Sequence, residues 1–251
     1  MRKYLFFLVL VIAFGIFFNS CREEKATTTS ICVLIDVSDK RFKNQDYVNE
    51  NVPKFLSLMK LSGQTGGFSG GQIKLSLINE LSDSKSKTIK IETGETGLMG
   101  ENPLNRKDKV VKFQNELVQS FTQILEQANW GTNASKIYQK VTRELIKMKK
   151  SEADNKYLII YSDMLENSSL FSFYGTDWKK NIEKLMADPE KALEYLSKKG
   201  PALPDLSEFE IFVIPSRTSE NDEKINLSEQ FWKVLFEFQG ATISFNSSLE
   251  I

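Results

Sequence analysis

Three short segments hold the side chains best suited to chemistry. Asp36-Val37-Ser38-Asp39-Lys40 places acids and a hydroxyl side by side, and Gly131-Thr132-Asn133 adds a hydroxyl next to a glycine. Ser162-Asp163-Met164-Leu165-Glu166-Asn167 brings a further hydroxyl and more acids. The chain contains no histidine. That removes the commonest general base and the commonest transition-metal ligand. It also excludes Ser-His-Asp and Cys-His machinery. What remains is oxygen chemistry. Carboxylates and hydroxyls suit a hard cation such as Mg2+, which prefers six oxygens in a near-octahedral shell. Hydroxyls can ligate such an ion directly, and carboxylates can bind it or hold its waters.

The elements that must bring these segments together are legible in the hydrophobic patterning. Ser30 to Ile35, Tyr157 to Tyr161 and Glu210 to Ile214 are nearly unbroken apolar runs. Such runs suit central parallel strands buried on both faces. Gln72 to Ile78 and Lys87 to Ile91 alternate polar and apolar residues instead, as strands nearer an edge do, and Ala241 to Phe245 reads as a final strand. Helical spacing marks Val52 to Met59, with Asn51 as its expected cap and Pro53 in its first turn, then Val110 to Ile124 and Ala134 to Met148. It also marks Trp178 to Met186, interrupted at Asp188-Pro189 and extended over Ala192 to Leu196. A last helix covers Phe231 to Phe238, with Asn226 and Glu229 spaced as a capping box at its start. Gly63 to Gly71 and Thr93 to Lys107 read as loops, the first without the lysine of a phosphate loop. Strands alternating with helices predict an α/β sheet covered on both faces. In such a sheet ligands sit outside the carboxyl ends of the strands, where Asp36 and Asp163 fall.

The three segments, in this order, resemble the von Willebrand factor A (vWA) family and its metal-ion-dependent adhesion site. That site has Asp-x-Ser-x-Ser after the first strand, a Thr before a middle helix and an Asp after the following strand. Asp36 and Ser38 match the first two positions, Thr132 the threonine and Asp163 the last acid. The resemblance runs over about residues 30–246 by the order of strands and helices. It implies a Rossmann-like vWA fold, with a mostly parallel central sheet, one antiparallel edge strand and helices on both faces. It also implies Mg2+, or Mn2+ or Ca2+, on Asp36, Ser38, Thr132 and Asp163, with one position open to a partner's carboxylate. The second serine of the motif is Lys40 here. An ammonium has three donors and no acceptor, so it cannot ligate a cation. Two outcomes stay open. Lys40 pointing inward neutralises Asp36 and Asp163 and leaves no metal. Lys40 pointing outward leaves a weaker metal site.

Two other readings stand beside a binding module. The haloacid dehalogenase-like phosphotransfer enzymes also place an Asp after the first strand, as Asp36 is here. They want a second Asp two residues on, and this chain has Ser38 there. The third reading is a structural envelope lipoprotein with a non-functional metal site. A binding module, and not an enzyme, is the expectation.

Address and charge agree with that. Met1-Arg2-Lys3 is a basic start, Tyr4 to Phe18 is apolar, and Asn19-Ser20-Cys21 follows. The span suits a secretory segment better than a membrane helix. A lone Cys directly after it resembles a bacterial lipobox, which implies a signal peptide over 1–20 and a lipid on Cys21. A polar tether over 21–29 and a vWA-like domain over 30–251 then follow. Arg22-Glu23-Glu24 resembles the surface-export signal of some Gram-negative lipoproteins and reads equally as a solvated linker. The expected location is the bacterial cell envelope, lipid-anchored at the outer membrane, with surface exposure left open by the two readings of Arg22-Glu23-Glu24. Without Arg2 and Lys3 the chain carries 31 basic and 33 acidic residues. A field that small steers no nucleic acid, so the expected partners are the membrane and a protein or peptide, met through an acidic group. Cys32, in an apolar run, reads as a small buried side chain. Phe171-Ser172-Phe173-Tyr174 reads as aromatics packed under their own loop, and Lys147 to Lys150 as a solvated helix end.

Overall fold

A computed structural model of the chain describes residues 26–44, 46–62, 67–79, 85–95, 100–131, 135–216 and 222–249. Cys21, the segment 1–20 and Thr132 lie outside the described residues. The three unbroken apolar runs form β1 (Thr28–Asp36), β4 (Asn155–Tyr161) and β5 (Phe209–Ile214). The alternating ones form β2 (Gly70–Ile78) and β3 (Ser86–Ile91), and β6 (Thr242–Phe245) closes the set. The order in the sheet is β3-β2-β1-β4-β5-β6. Every pairing is parallel except β2 with β3, so the antiparallel strand is an edge strand.

Side chains of a strand alternate between faces, and β1 divides its residues accordingly. Ile31, Val33 and Ile35 pack with α1 (Asp46–Leu58) and α2 (Pro103–Glu126). Cys32 and Leu34 pack on the other face. That face is covered by α3 (Ile137–Lys149), α4 (Trp178–Met186), α5 (Pro189–Lys199) and α6 (Asp222–Phe238). The helix spacing of the sequence is what seats them: Tyr138, Val141 and Leu145 of α3 and Phe231, Trp232 and Leu235 of α6 are fully buried. A fully buried side chain of this size contributes about 1.5–3 kcal/mol by leaving water. This is a Rossmann-like vWA fold, an α/β sheet with helices on both faces.

Element starts differ from the sequence expectations in several places. α1 begins at Asp46, whose N–H is accepted by the Asn44 side chain at 3.0 Å, so Asn51 and Pro53 lie inside the helix and not at its start. Asn51 is buried and accepts the Tyr161 hydroxyl at 2.8 Å across the helix–sheet interface. α2 begins at Pro103, capped by the Asn102 side chain on the Leu104 N–H at 2.8 Å, so part of the expected loop is helix. α6 begins at Asp222, and its acidic first turn, Asp222-Glu223, complements the helix dipole. Asn226 and Glu229 therefore sit inside the helix and form no capping box at its start. Last, β1 takes in Thr28 and Thr29, which the tether reading had claimed, and Thr29 is buried opposite Gly71. Among the described residues no helix is long and apolar enough to cross a membrane.

Candidate functional site

The sheet order reverses between β1 and β4, which run side by side while their connections leave in opposite directions. A crevice at the carboxyl ends follows from that topology. Asp36 ends β1, and Ser162 and Asp163 follow β4 directly. Asp36 is 1% exposed, so its charge has lost nearly all contact with water. Three donors meet it. The Ser38 N–H reaches Oδ1 at 2.9 Å, the Ser135 hydroxyl Oδ1 at 3.1 Å, and the Ser162 hydroxyl Oδ2 at 2.8 Å. Burial raises this carboxyl above the ordinary Asp range, and these donors oppose the rise.

Asp163 is half-buried, and its Oδ1 accepts the Leu165 N–H at 3.0 Å. Burial pushes it up to about 6, with repulsion from Asp36 and Asp39 adding to the rise. The Leu165 N–H and Arg41 act in the opposite direction. Glu166 is fully buried, and its Oε2 accepts the Tyr138 N–H at 2.8 Å, in the first turn of α3. A carboxylate at a helix N-terminus satisfies an orphan donor there. Burial nevertheless pushes Glu166 up to about 7. The Ser168 hydroxyl and the Ile137 N–H oppose this from nearby, yet Oε1 has no hydrogen-bond partner among the described residues.

The loop that carries Asp163 is held from behind. Met164 has φ 58°, a left-handed conformation that costs a non-glycine residue about 1–2 kcal/mol. Its carbonyl accepts the Ser228 hydroxyl at 2.7 Å and the Trp232 indole N–H at 2.8 Å, both from α6. Those two buried bonds offset the strain and fix where the strand end turns.

Lys40 begins a short 3-10 turn, Lys40–Lys43, capped by the Asp39 side chain. Its side chain is exposed and lies along Gly131, where an added Cβ would come within 2.9 Å of Lys40 Cε. Among the described residues it forms no ion pair with Asp36 or Asp163. The replacement-cation role is thus without geometric support there. The cation that does act on Asp163 is Arg41, which pairs with Asp39 at 2.7 Å and donates to the Ser216 carbonyl at 2.7 Å.

A hard cation finds usable donors here. A serine that gives its proton to Asp36 keeps its oxygen lone pairs for an ion, and Asp163 has a second oxygen beyond the one that takes the Leu165 N–H. Two carboxylates that repel each other gain from a positive charge between them. Asp36 and Asp163, with the Ser38, Ser135 and Ser162 hydroxyls, are the described groups that could hold one. Among the described residues no three His, Cys, Asp or Glu side chains cluster, so hydroxyls must complete any shell.

The sequence brought Asp36, Ser38 and Asp163 to one edge. It missed Ser135, and it gave Ser162 and Glu166 no role. The apolar spacing runs from Ala134, which predicts Ser135 on a helix. The helix begins at Ile137 and leaves Ser135 in the loop, against Asp36. The aromatic loop does pack under itself in large part, with Phe171 and Phe173 buried and Tyr174 44% exposed. Cys32 is buried and free, and burial raises its thiol to about 12.

No known family model matches the sequence, and no curated protein matches it. Among solved structures, the human COPII-coat protein Sec24c is similar with a TM-score of 0.50 and 14% identity, over 92% of this chain and 31% of Sec24c. At that identity the likeness is one of fold. The chain spans about a third of that protein. A mutant of the PilB minor pilin from Streptococcus sanguinis gives a TM-score of 0.41 at 11% identity, over 91% of this chain and 59% of that one. An aerotolerance-related membrane protein from Bacteroides fragilis gives 0.36 at 10%, over 87% and 92%.

Proposed function

We propose that this chain is an envelope lipoprotein, anchored through Cys21, whose vWA-like domain binds a protein or peptide partner at the Asp36 face. A divalent cation, Mg2+ first, sits against Asp36, Ser38 and Asp163, with Thr132 supplying a hydroxyl, and leaves a position for an acidic group of the partner. One observation carries the reading: Asp36 and Asp163 stand at the carboxyl ends of the neighbouring strands β1 and β4, and among the described residues Lys40 forms no ion pair with either. When bound, the ion supplies a Lewis-acidic centre for a carboxylate. The chain's own contribution is to hold the two acids together. Ser135 and Ser162 orient Asp36, and the α6 clamp on Met164 orients Asp163.

The phosphotransfer reading is less well supported. A nucleophilic carboxylate must reach phosphorus, and Asp36 is buried with both oxygens engaged. Ser38 also stands where that class places its general acid.

Thermal unfolding with and without about 10 mM MgCl2 tests the cation. If the ion is held at about ten times its Kd, the stabilisation is about 1.4 kcal/mol and the melting temperature rises by about 3–6 °C. Asp163→Asn removes the rise. An unmoved wild-type melting point, or an equal rise in the variant, would end the reading. The anchor is tested separately. Cells fed radiolabelled palmitate incorporate label into the wild-type chain and none into Cys21→Ala, and label in both rules out a lipid on Cys21.

A further inference from the structure

Beside the Asp36 face lies a second feature that the cation site does not use. An open groove of about 670 Å³ runs between the loop after β4 and the pair α4–α5. Leu170, Phe171 and Tyr174 line it from the loop, Leu185 from α4, and Ala192 and Tyr195 from α5. Tyr174 and Tyr195 are 44% and 38% exposed, two of the few large apolar side chains that the described residues leave in water. The groove is preformed. Phe171 packs on Phe231 at 4.9 Å between ring centres, and the Tyr195 hydroxyl donates to the Leu170 carbonyl at 3.3 Å. The Tyr174 N–H donates to the Ser172 hydroxyl at 3.1 Å.

Charge decides what would fill it. Asp188 and Lys191, both on the wall, pair with each other at 2.6 Å. Lys184, also on the wall, is exposed and forms no ion pair among the described residues. Lys224 stands 4.7 Å from the Tyr174 ring centre and 5.7 Å from that of Trp178, and among the described residues it forms no ion pair. Among the described residues the charge left over beside Lys184 and Lys224 is positive, the surface beneath is aromatic and aliphatic, and the acids nearest the groove are Asp163 and Asp36, which act on the Tyr174 hydroxyl from the adjoining face. Aromatic anchors ringed by polar groups are the usual make-up of a protein-binding hot spot. Two unneutralised lysines fall short of the cluster of about four to eight that marks a site for anionic membrane.

We propose that this groove docks an acidic peptide segment of a partner protein. An apolar side chain of the segment enters between Tyr174 and Tyr195, and a neighbouring Asp or Glu meets Lys184 and Lys224. The site is separate from the cation reading and does not depend on it.

A display library of random peptides of about twelve residues, selected against the purified full chain, tests this. The enriched peptides carry Asp or Glu beside a large apolar residue. Titrated by fluorescence anisotropy, they bind Lys184→Glu and Tyr195→Ser each about tenfold more weakly or worse. Both positions are exposed, and unchanged circular dichroism and melting temperature show that the variants fold. Asp163→Asn does not weaken the peptides, which separates this site from the Asp36 face. The proposal fails if the enriched peptides lack acids, if none depends on Lys184 and Tyr195, or if Asp163→Asn abolishes binding. It fails equally if Lys184→Glu abolishes instead a binding to phosphatidylserine vesicles or a self-association seen by sedimentation. Those results assign the groove to a membrane or to a second copy.

Discussion

The domain is expected to be more stable at about pH 5 than at about pH 7.5, against the common pattern in which carboxylates stabilise as they ionise. Glu166 is the main cause. Its ordinary pKa is 4.5, and in the folded chain burial raises it to about 7. Between those values the folded state keeps a proton that the unfolded state has released. Stability therefore falls as pH rises through the interval, and a group moved that far accounts for about 3 kcal/mol. Asp163, raised from 3.8 to about 6, acts in the same direction. Below about pH 4.5 the sign turns. Glu144 is lowered: burial alone would raise it, but Lys74 at 2.5 Å, Lys140 at 3.3 Å and Lys147 at 3.2 Å more than reverse that. Its contribution is present above its unfolded pKa and is lost as pH falls further. The stability maximum thus sits near pH 5. Urea unfolding at the two pH values measures the fall. Glu166→Gln keeps an acceptor for the Tyr138 N–H, loses the charge, and removes most of the difference. Mg2+ narrows what remains at pH 7.5 by opposing the charges of Asp36 and Asp163. A flat profile, or one that rises from pH 5 to 7.5, contradicts the buried-acid account of this face.

How far the sequence led is visible at particular residues. β1 and β4 were legible because a strand buried on both faces is apolar at every position, and Ile31 to Ile35 and Leu158 to Tyr161 are. Asp36 and Asp163 were legible because an acid at the end of such a run has few places to be other than the sheet edge. Ser135 was not, because the residue after a loop and the first residue of a helix look alike when the cap comes from elsewhere. Here Glu166, far along the chain, meets the α3 N-terminus. Pro53 misled for a related reason. Proline favours a first turn, but α1 carries it inside. The direction of Lys40 was open because a long exposed side chain takes its course from tertiary neighbours, in this case Gly131. The aromatic run Phe171 to Tyr174 marked one wall of the Tyr174–Tyr195 groove, but no motif marked the groove itself. It arises from the angle at which α4 and α5 meet a loop, which no local spacing records.

Arg106→Met is expected to cost about 3–5 kcal/mol, from loss of a buried network at the end of the sheet opposite Asp36. Arg106 lies in the first turns of α2 and is fully buried. Its Nε donates to the Gly67 carbonyl at 3.0 Å, one terminal nitrogen to the Glu92 carbonyl at 2.8 Å, and the other to the Ser69 carbonyl. Glu101 approaches at 3.9 Å. One side chain therefore ties the segment before β2, the segment after β3 and α2 together. No residue pattern marks it, since three backbone carbonyls have no residue type. Methionine matches much of the volume but donates nothing, so three carbonyls are left in a place that water enters poorly. Arg106→Lys keeps the charge yet presents its donors from one point, and it cannot span three separated carbonyls as a planar guanidinium does. It should recover less than half of the loss. Urea unfolding reads both variants, and a loss below about 1 kcal/mol in the methionine variant shows that water replaces the guanidinium. The location gives a second readout. β1 pairs Thr28 with Gly70 at this end and Asp36 with Ile78 at the other, about 26 Å apart at the rise of a strand. Where the variant still folds, its Mg2+ response at Asp36 is expected to match the wild type, because effects at sites that far apart add independently.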